Sequence, residues 1–254
     1  MSDFDVLTSW SKYSNTITLE DDNIQVKGSG VTVTGNTVAI TAEGTYVFSG
    51  TLTDGQIAVS ATNQDKVHIV LNGVNISNSE SAPLYVANAD KVTVTLAKDT
   101  ENKLSDLDRE VIDEDAEINA CVFASDDITF NGEGKLVIDA INNGIGSKND
   151  VRICGGTIDI SARNHGIKGK DSVYIAAGDV KVVAGKDGLK ATNISDADRG
   201  YVLINGGNVH ITAKDDGIQA ITEVIVSGGF TKVASSDQKI NCDGTKTITP
   251  GCLG

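Results

Sequence analysis

The sequence predicts an all-β chain wound as a single-stranded parallel β-helix, a β-solenoid of about 22 residues per coil. Three observations carry this. First, segments align on one apolar residue: Asn143-Gly144-Ile145, His165-Gly166-Ile167, Asp187-Gly188-Leu189, Asp216-Gly217-Ile218 and the degenerate Gln238-Lys239-Ile240, at steps of 22, 22, 29 and 22 residues. Second, each segment leads into a short alternating run (Val151 and Ile153, Val173 and Ile175, Val202 and Ile204, Val224 and Val226). A small-residue turn follows (Gly155-Gly156, Ala177-Gly178, Gly206-Gly207, Gly228-Gly229), then a second alternating run. Third, the composition is rich in glycine, with 27 Gly, and poor in proline and aromatics, with 2 Pro and 4% aromatic residues, which suits short strands and tight turns. A leucine-rich repeat would need Leu-rich spacing and a helical segment, and a nonapeptide calcium repeat has the wrong period.

One coil cannot bury its apolar face alone, so neighbours must stack. The apolar positions then predict an inward ladder of Cys121, Ile145, Ile167, Leu189, Ile218 and Ile240. Cys121 reads as a small core residue. The 254 residues form one domain, 1–254, with 1–14 as an N-terminal arm or cap, 97–119 as an acidic loop insertion and 235–254 as a C-terminal cap. The 29-residue step carries a second insertion, residues 193–199. Long loops on a solenoid often flank its binding face.

Composition narrows the function. A formal net charge of −14 argues against a nucleic-acid backbone as partner. No apolar run reaches the roughly 18 residues of a membrane helix, and a monomer is expected. The chain opens on polar sequence after Met1 with no export segment, which fits a cytosolic protein or a mature exported domain. Cys242 and Cys252 lie close enough in sequence to close a loop, and the cysteine spacing fits no zinc site.

Stacking turns columns of sequence into ladders about 4.8 Å apart. Just before the glycine the column reads Asn143, His165, Asp187, Asp216, and one residue earlier Asn142, Asn164, Lys186, Asp215. Asp187 and Asp216 should therefore be neighbours with Asp215 beside them, and carboxylates that close repel. Calcium takes oxygen ligands at about 2.3–2.6 Å, so two ligands across one ion stand about 4.6–5.2 Å apart, which matches the rise between coils. The same Asp-Gly pairs also fit solvated turns. A further column at the strand starts, Asp65, Asp90, Asp126, Asn149 and Asp171, offers Asp126, Asp127 and Asp171 as secondary metal ligands or as turn formers. After the inward residue comes Gly146, Lys168, Lys190, Gln219 and Asn241, facing outward. Lys168, Lys190 and the nearby Lys170, with Gln219, form a candidate surface for an anionic sugar, or alternatively balance surface charge. His68 and His210 alternate with apolar residues and should face outward. Aromatic platforms for neutral sugar rings look sparse.

The run Ala42-Glu43-Gly44-Thr45-Tyr46-Val47-Phe48-Ser49-Gly50-Thr51-Leu52, followed by Asp54-Gly55-Gln56-Ile57, resembles the opening signature of a bacterial family of carbohydrate-binding domains. Val70-Leu71-Asn72-Gly73-Val74, then Gly166-Ile167-Lys168-Gly169-Lys170-Asp171-Ser172-Val173, and finally Asp216-Gly217-Ile218-Gln219-Ala220 resemble its later hallmarks, over about residues 15–235. The resemblance implies an extracellular or cell-surface, right-handed parallel β-helix related in fold to pectate lyases. It also implies bound Ca²⁺ and affinity for plant cell-wall polysaccharide, polygalacturonate or cellulose-like. In the pectate lyases of polysaccharide lyase family nine an Asp-Asp-Gly motif and an Asp on the preceding coil hold calcium, and a Lys on a later coil is the base. Asp215-Asp216-Gly217 and Asp187 match the calcium half, whereas Gln219 stands for a further acid and Asn241 falls where the base would be. The expected metal set is thus Asp187, Asp215 and Asp216, with Asp126, Asp127, Asp171, Asn143 and Asn164 as further candidates. The expected function is non-catalytic, calcium-dependent polysaccharide binding. The alternatives are a pectate lyase using Lys190 or Lys168 as base, and a purely structural spacer.

Overall fold

A computed structural model describes residues 1–110 and 117–254. Asp113, Glu114 and Asp115 of the acidic segment lie outside the described residues. Those described form β-strands and connections, with no helix among them. Two sheets arise, one of 13 strands and one of 10. Each repeat gives one long strand to the first sheet and one short strand to the second, and equivalent strands of successive repeats pair in parallel. In the long sheet Asp150–Ala162, Ser172–Ala184, Tyr201–Ala213 and Glu223–Ser235 lie side by side. In the short-strand sheet Ala120–Ala124, Asn143–Ser147, Ile167–Gly169, Leu189–Ala191, Ile218–Ala220 and Ile240–Cys242 do the same. Among the described residues only the N-terminal pairs, Asn15–Leu19 with Gln25–Lys27 and Val31–Thr34 with Thr37–Ile40, are antiparallel. They turn the chain back on the first repeat and close that end of the stack.

The apolar alternation packs one continuous core from Ile17 to Val233. Its ladder in the short-strand sheet is Val122, Ile145, Ile167, Leu189, Ile218 and Ile240, in direct register. Val122, and not Cys121, therefore stands opposite Ile145. The strand Ala120–Ala124 enters with Ala120 opposite Asn143, which moves the register by one residue. Cys121 is nonetheless fully buried, and burial pushes its thiol pKa up.

Three other expectations change. The glycine turns do not separate strands: each pair of alternating runs is one 13-residue strand with a bend inside it, and Gly156, Gly178, Gly207 and Gly229 take φ between 68 and 102° there. Only glycine adopts that region without a Cβ penalty. Segment 97–119 is not wholly a loop, because Glu101–Ser105 is a strand paired to Lys66–Ser77 and Lys135–Ala140. Asn102 and Leu104 alternate inward there while Glu101 and Lys103 point to solvent. Residues 235–254 contribute Ile240–Cys242 and Thr245–Ile248 as a further partial repeat. Cys242 and Cys252 are free thiols, Cys242 donating to the Thr245 carbonyl.

The arm, residues 1–14, crosses the outer face of four strands of the long sheet, reaching His68, Thr93, Thr129 and Cys154. Asp5 is fully buried and accepts hydrogen bonds from Thr129 Oγ1 at 2.7 Å and Lys91 Nζ at 3.0 Å. Burial alone would raise its pKa, but Lys91, Ser2 and Thr129 together hold the carboxyl well below the usual carboxylate range. Asn131 Nδ2 donates to the carbonyls of Asp5 and Leu7, and Thr93 and Thr95 donate to Phe4 and Leu7. His68 does face away from the core, yet it is only 1% exposed. The Phe4 ring meets it edge-on at 6.3 Å, and Nε2 lies 2.8 Å from Thr95 Oγ1.

Burial pushes the His68 imidazole down from 6.5 to about 4. Between these values the unfolded chain binds a proton that the folded chain rejects. Stability from neutral His68 is therefore complete above the unfolded pKa and declines as pH falls toward the folded one. Denaturant unfolding should lose roughly 2 kcal/mol more between about pH 7 and pH 5 in the wild type than in His68→Gln; equal slopes for the two proteins would contradict this assignment.

Candidate functional site: an acidic trio beside a lysine cleft

Asn143 opens its short strand, His165, Asp187 and Asp216 stand two residues before theirs, and all four are buried. Each accepts a hydrogen bond from the backbone N–H of the next repeat. His165 N donates to Asn143 Oδ1 at 3.1 Å, Asp187 N to His165 Nδ1 at 3.3 Å, Asp216 N to Asp187 Oδ1 at 3.1 Å, and Gln238 N to Asp216 Oδ1 at 3.1 Å. These amides cannot point at a strand partner where the chain turns, so side-chain acceptors satisfy them. As acceptor, His165 Nδ1 is unprotonated, which fits the neutral Nε2–H tautomer. Burial pushes the His165 pKa down, and nearby Lys190 and Lys168 add to this against the pull of Asp187.

The glycine after each column residue is fixed by space. A Cβ on Gly144, Gly166, Gly188 or Gly217 would stand 2.4, 2.2, 2.2 or 2.1 Å from Ile160, Val182, Ile211 or Val233 of its own repeat. It would also lie 2.6–2.7 Å from a carbonyl of the next. The Asp-Gly pairing thus reflects close packing of backbone on backbone, with φ in the ordinary range at all four positions.

Asp187, Asp215 and Asp216 are brought together as the sequence leads one to expect: one oxygen of each lies within 4.8 Å of the others. Asp187 Oδ2 meets Lys190 Nζ at 2.9 Å and His165 Nδ1 at 3.2 Å. Burial raises the Asp187 pKa, but the Lys190 ammonium beside it outweighs this and holds the carboxyl below its usual range. Asp216 Oδ2 accepts from Asn241 Nδ2 at 2.7 Å. Asp215 is exposed. Gln219 Oε1 and Asn164 Oδ1 are buried acceptors without a hydrogen-bond donor. Asn164 Nδ2 is occupied by Asn142 Oδ1 at 2.8 Å. The three carboxylates form a hard-oxygen donor set of the kind calcium takes.

Asp126, Asp127 and Asp171 sit at the far ends of the short strands, away from this trio. Asp126 Oδ1 accepts from Asn149, and burial raises its pKa. Asp127 Oδ2 holds Arg152 Nη1 at 2.6 Å. Asp171 accepts from Asn193 at 2.6 Å and lies 3.6 Å from Arg199. Arg152 also pairs with Asp150. Arginine supplies the positive charge in this column, and the Asn143 side chain is engaged with His165 and Asn119.

The outward column is continuous along the short-strand sheet: Tyr85, Phe123, Gly146, Lys168, Lys190, Gln219, Asn241. Between its aromatic and acidic ends lies a cleft of about 380 Å³ lined by Phe123, Ser147, Lys148, Lys168, Lys170 and Thr192. Gly146 lacks a side chain where its neighbours have Phe123 and Lys168, which leaves the cleft floor open. The rings of Tyr85 and Phe123 stand 6.3 Å apart, and Lys148 Nζ lies 5.9 Å from the Phe123 ring centre. This aromatic pair escapes the sequence reading. Tyr85 and Phe123 are 38 residues apart across an irregular stretch, and only the register of Leu84 with Val122 aligns them.

The chain belongs to the family of carbohydrate-binding domain-containing proteins, whose model matches residues 34–251. It is 43% identical over 242 residues to a carbohydrate-binding domain-containing protein of Acetivibrio thermocellus, an alignment covering 94% of this chain and 85% of the relative. It superposes on the polysaccharide lyase-like protein from C. thermocellum, solved as a gadolinium derivative, with a TM-score of 0.91 at 40% identity, covering 95% of this chain and 99% of that one.

Two substitutions separate the roles of this column. Asp187→Asn keeps an acceptor for the Asp216 amide and should stay within about 1 kcal/mol of wild type without metal, whereas Asp187→Ala orphans that amide and Lys190 and should cost about 1–3 kcal/mol. Gly188→Ala should cost about 1–3 kcal/mol through overpacking. Urea denaturation midpoints measure all three, and an unchanged midpoint for Gly188→Ala would show that the packing gives way.

Proposed function

We propose that the protein binds an acidic plant cell-wall polysaccharide, polygalacturonate above all, in a calcium-dependent and non-catalytic manner, as an extracellular or cell-surface domain. The stacked parallel sheets are read as the coils of a right-handed β-helix, whose outer face presents the sugar site. The observation that carries the reading is the contiguity of opposite charges along one face of the short-strand sheet. A lysine cleft at Lys168, Lys170 and Lys148 passes through Lys190 directly into the trio Asp187, Asp215 and Asp216.

In a protein of net charge −14, a polyanion needs local cations. Lys168 and Lys170 supply fixed ones, and the trio with Gln219 would hold calcium. When bound, calcium would bridge protein and sugar carboxylates. Lys190 holds Asp187 in place, and Asn241 does the same for Asp216. Tyr85 and Phe123 extend the face with apolar surface on which pyranose rings can rest.

A pectate lyase is the second reading, favoured by the likeness to a polysaccharide lyase-like protein. β-Elimination needs an unengaged base near the C5 proton. Lys190 Nζ is tied to Asp187 at 2.9 Å, and Asn241 stands on the repeat after Asp216, so the chain's own groups favour binding over elimination.

Isothermal titration with oligogalacturonate in calcium should give a measurable Kd that chelator weakens strongly. Lys168→Ala should weaken it about tenfold. Calcium alone should raise the unfolding temperature of wild type but not of an Asp215→Asn, Asp216→Asn double variant. No affinity for oligogalacturonate with calcium present would refute the proposal, and steady formation of unsaturated uronide would replace it with the lyase reading.

A further inference from the structure

Residues 1–7 of the arm seal a strip of outward side chains on the long sheet. Thr45, His68, Thr93 and Thr129 stand in register on successive strands, and Val70, Thr95 and Asn131 form the next outward column. His68, Val70, Thr93, Thr95, Thr129 and Asn131 are all buried although they point away from the core. The arm supplies that cover. The Phe4 ring lies against His68, and the carbonyls of Phe4, Asp5 and Leu7 accept from Thr93, Asn131 and Thr95. Residues 8–13, which join this cover to the first strand, are exposed.

A chain of hydrogen bonds links the His68 ring to the arm. Nε2 lies 2.8 Å from Thr95 Oγ1, and that hydroxyl lies 2.6 Å from Asn131 Oδ1. Asn131 Nδ2 donates in turn to the Asp5 and Leu7 carbonyls. The Thr95 hydroxyl has one proton and gives it to Asn131 or Leu7, so it accepts from His68 Nε2–H. Nδ1 is then the unprotonated nitrogen, 3.4 Å from Thr45 Oγ1. A proton taken up at Nδ1 places a full charge beneath Phe4. The charged groups on the elements packed there are Asp5 on the arm, Glu43 just before the strand of Thr45, Lys66 on the strand of His68 and Lys91 on the next. The strand Ile128–Gly132 brings the uncharged Thr129 and Asn131. Asp5 is already engaged by Lys91, Ser2 and Thr129.

We infer that the arm is an acid-released strap: protonation of His68 lifts residues 1–7 off the sheet and bares the polar strip beneath, while the stacked strands stay folded. With the arm closed, burial holds the imidazole down at about 4; with the arm lifted, the ring meets water and returns to its ordinary 6.5. The lifted form therefore binds the proton more tightly, and falling pH favours it. Asp5 does not drive the change in this range. Burial raises its pKa, but the donors around it outweigh that and keep it ionised. The strands hold because Ile69, Val94 and Phe130 pack into the core from their opposite face.

Hydrogen exchange of the 254-residue chain tests the strap through the Asp5 and Leu7 amides, which donate to the Ser2 and Phe4 carbonyls. Corrected for the intrinsic rate, their opening constant should rise about thirtyfold from pH 7.5 to pH 5 in the wild type. It should stay level in His68→Gln, and core amides such as that of Val173 should keep their protection in both. A second readout is Trp10, the sole tryptophan, which lies on the arm beside Lys98, Glu133 and Cys154. Phe4→Ala should open Trp10 to acrylamide quenching at pH 7.5 with the far-ultraviolet strand signal unchanged. Phe4 is outside the core, so this variant reads the strap even where His68→Gln disturbs the sheet. The inference is overturned when arm protection is the same at both pH values, when His68→Gln keeps the acid response, when arm and core amides lose protection together, or when Phe4→Ala leaves Trp10 as shielded as before.

Discussion

The C-terminal half of the structure depends on a rule of satisfaction at one corner of each repeat. Where the chain passes from long strand to short strand, a backbone N–H is buried without a strand partner, and the preceding repeat must offer a side-chain acceptor to it. Asn143, His165, Asp187 and Asp216 each meet that need. A buried amide left unpaired costs about 1–3 kcal/mol, so the column is confined to residues with a short, outstretched acceptor. Asn, His and Asp qualify, and apolar residues do not. The ladder of Ile145, Ile167, Leu189 and Ile218 sets the same register from the core side. Polar and apolar ladders two residues apart agree on one alignment, and a slip by one residue would break both.

The same rule concentrates charge. An aspartate that spends one oxygen on an amide has the other left over. Asp187 turns it to Lys190 and Asp216 to Asn241. The carboxylates are therefore held rigidly with their outer oxygens on the surface column, and the cost of gathering them is offset locally by lysine and amide donors. Repeats that use Asn143 and His165 in the column carry no such charge, so the acidic end of the cleft is confined to the C-terminal repeats, and the aromatic end falls to Tyr85 and Phe123.

Much of this was legible because a strict period converts sequence columns into neighbours. The stacking of Asp187 over Asp216, the outward line of Lys168, Lys190, Gln219 and Asn241, and the outward direction of His68 follow from counting. Counting fails where the period does. Between Tyr85 and Phe123 no constant step exists, so their pairing is invisible until strands align, and the one-residue displacement of Cys121 has the same source. Long-range cover is also invisible: no local pattern says that residues 1–14 lie over Thr93, Thr95 and Asn131, or that His68 is sealed beneath Phe4. The arginine pairs of Asp127 and Asp171 come from Arg152 and Arg199, whose reach across repeats is not a property of any column.

The near-identical surroundings of Gly144, Gly166, Gly188 and Gly217, each pressed between a branched side chain of its own repeat and a carbonyl of the following one, make these repeats interchangeable units. A lineage that duplicates or deletes one whole unit keeps every junction intact, whereas gaining or losing a few residues within it would not. Evolution of this scaffold should consequently proceed in whole rungs, with the outward column of the short-strand sheet growing or shrinking by fixed increments and the insertions between rungs left free to diversify.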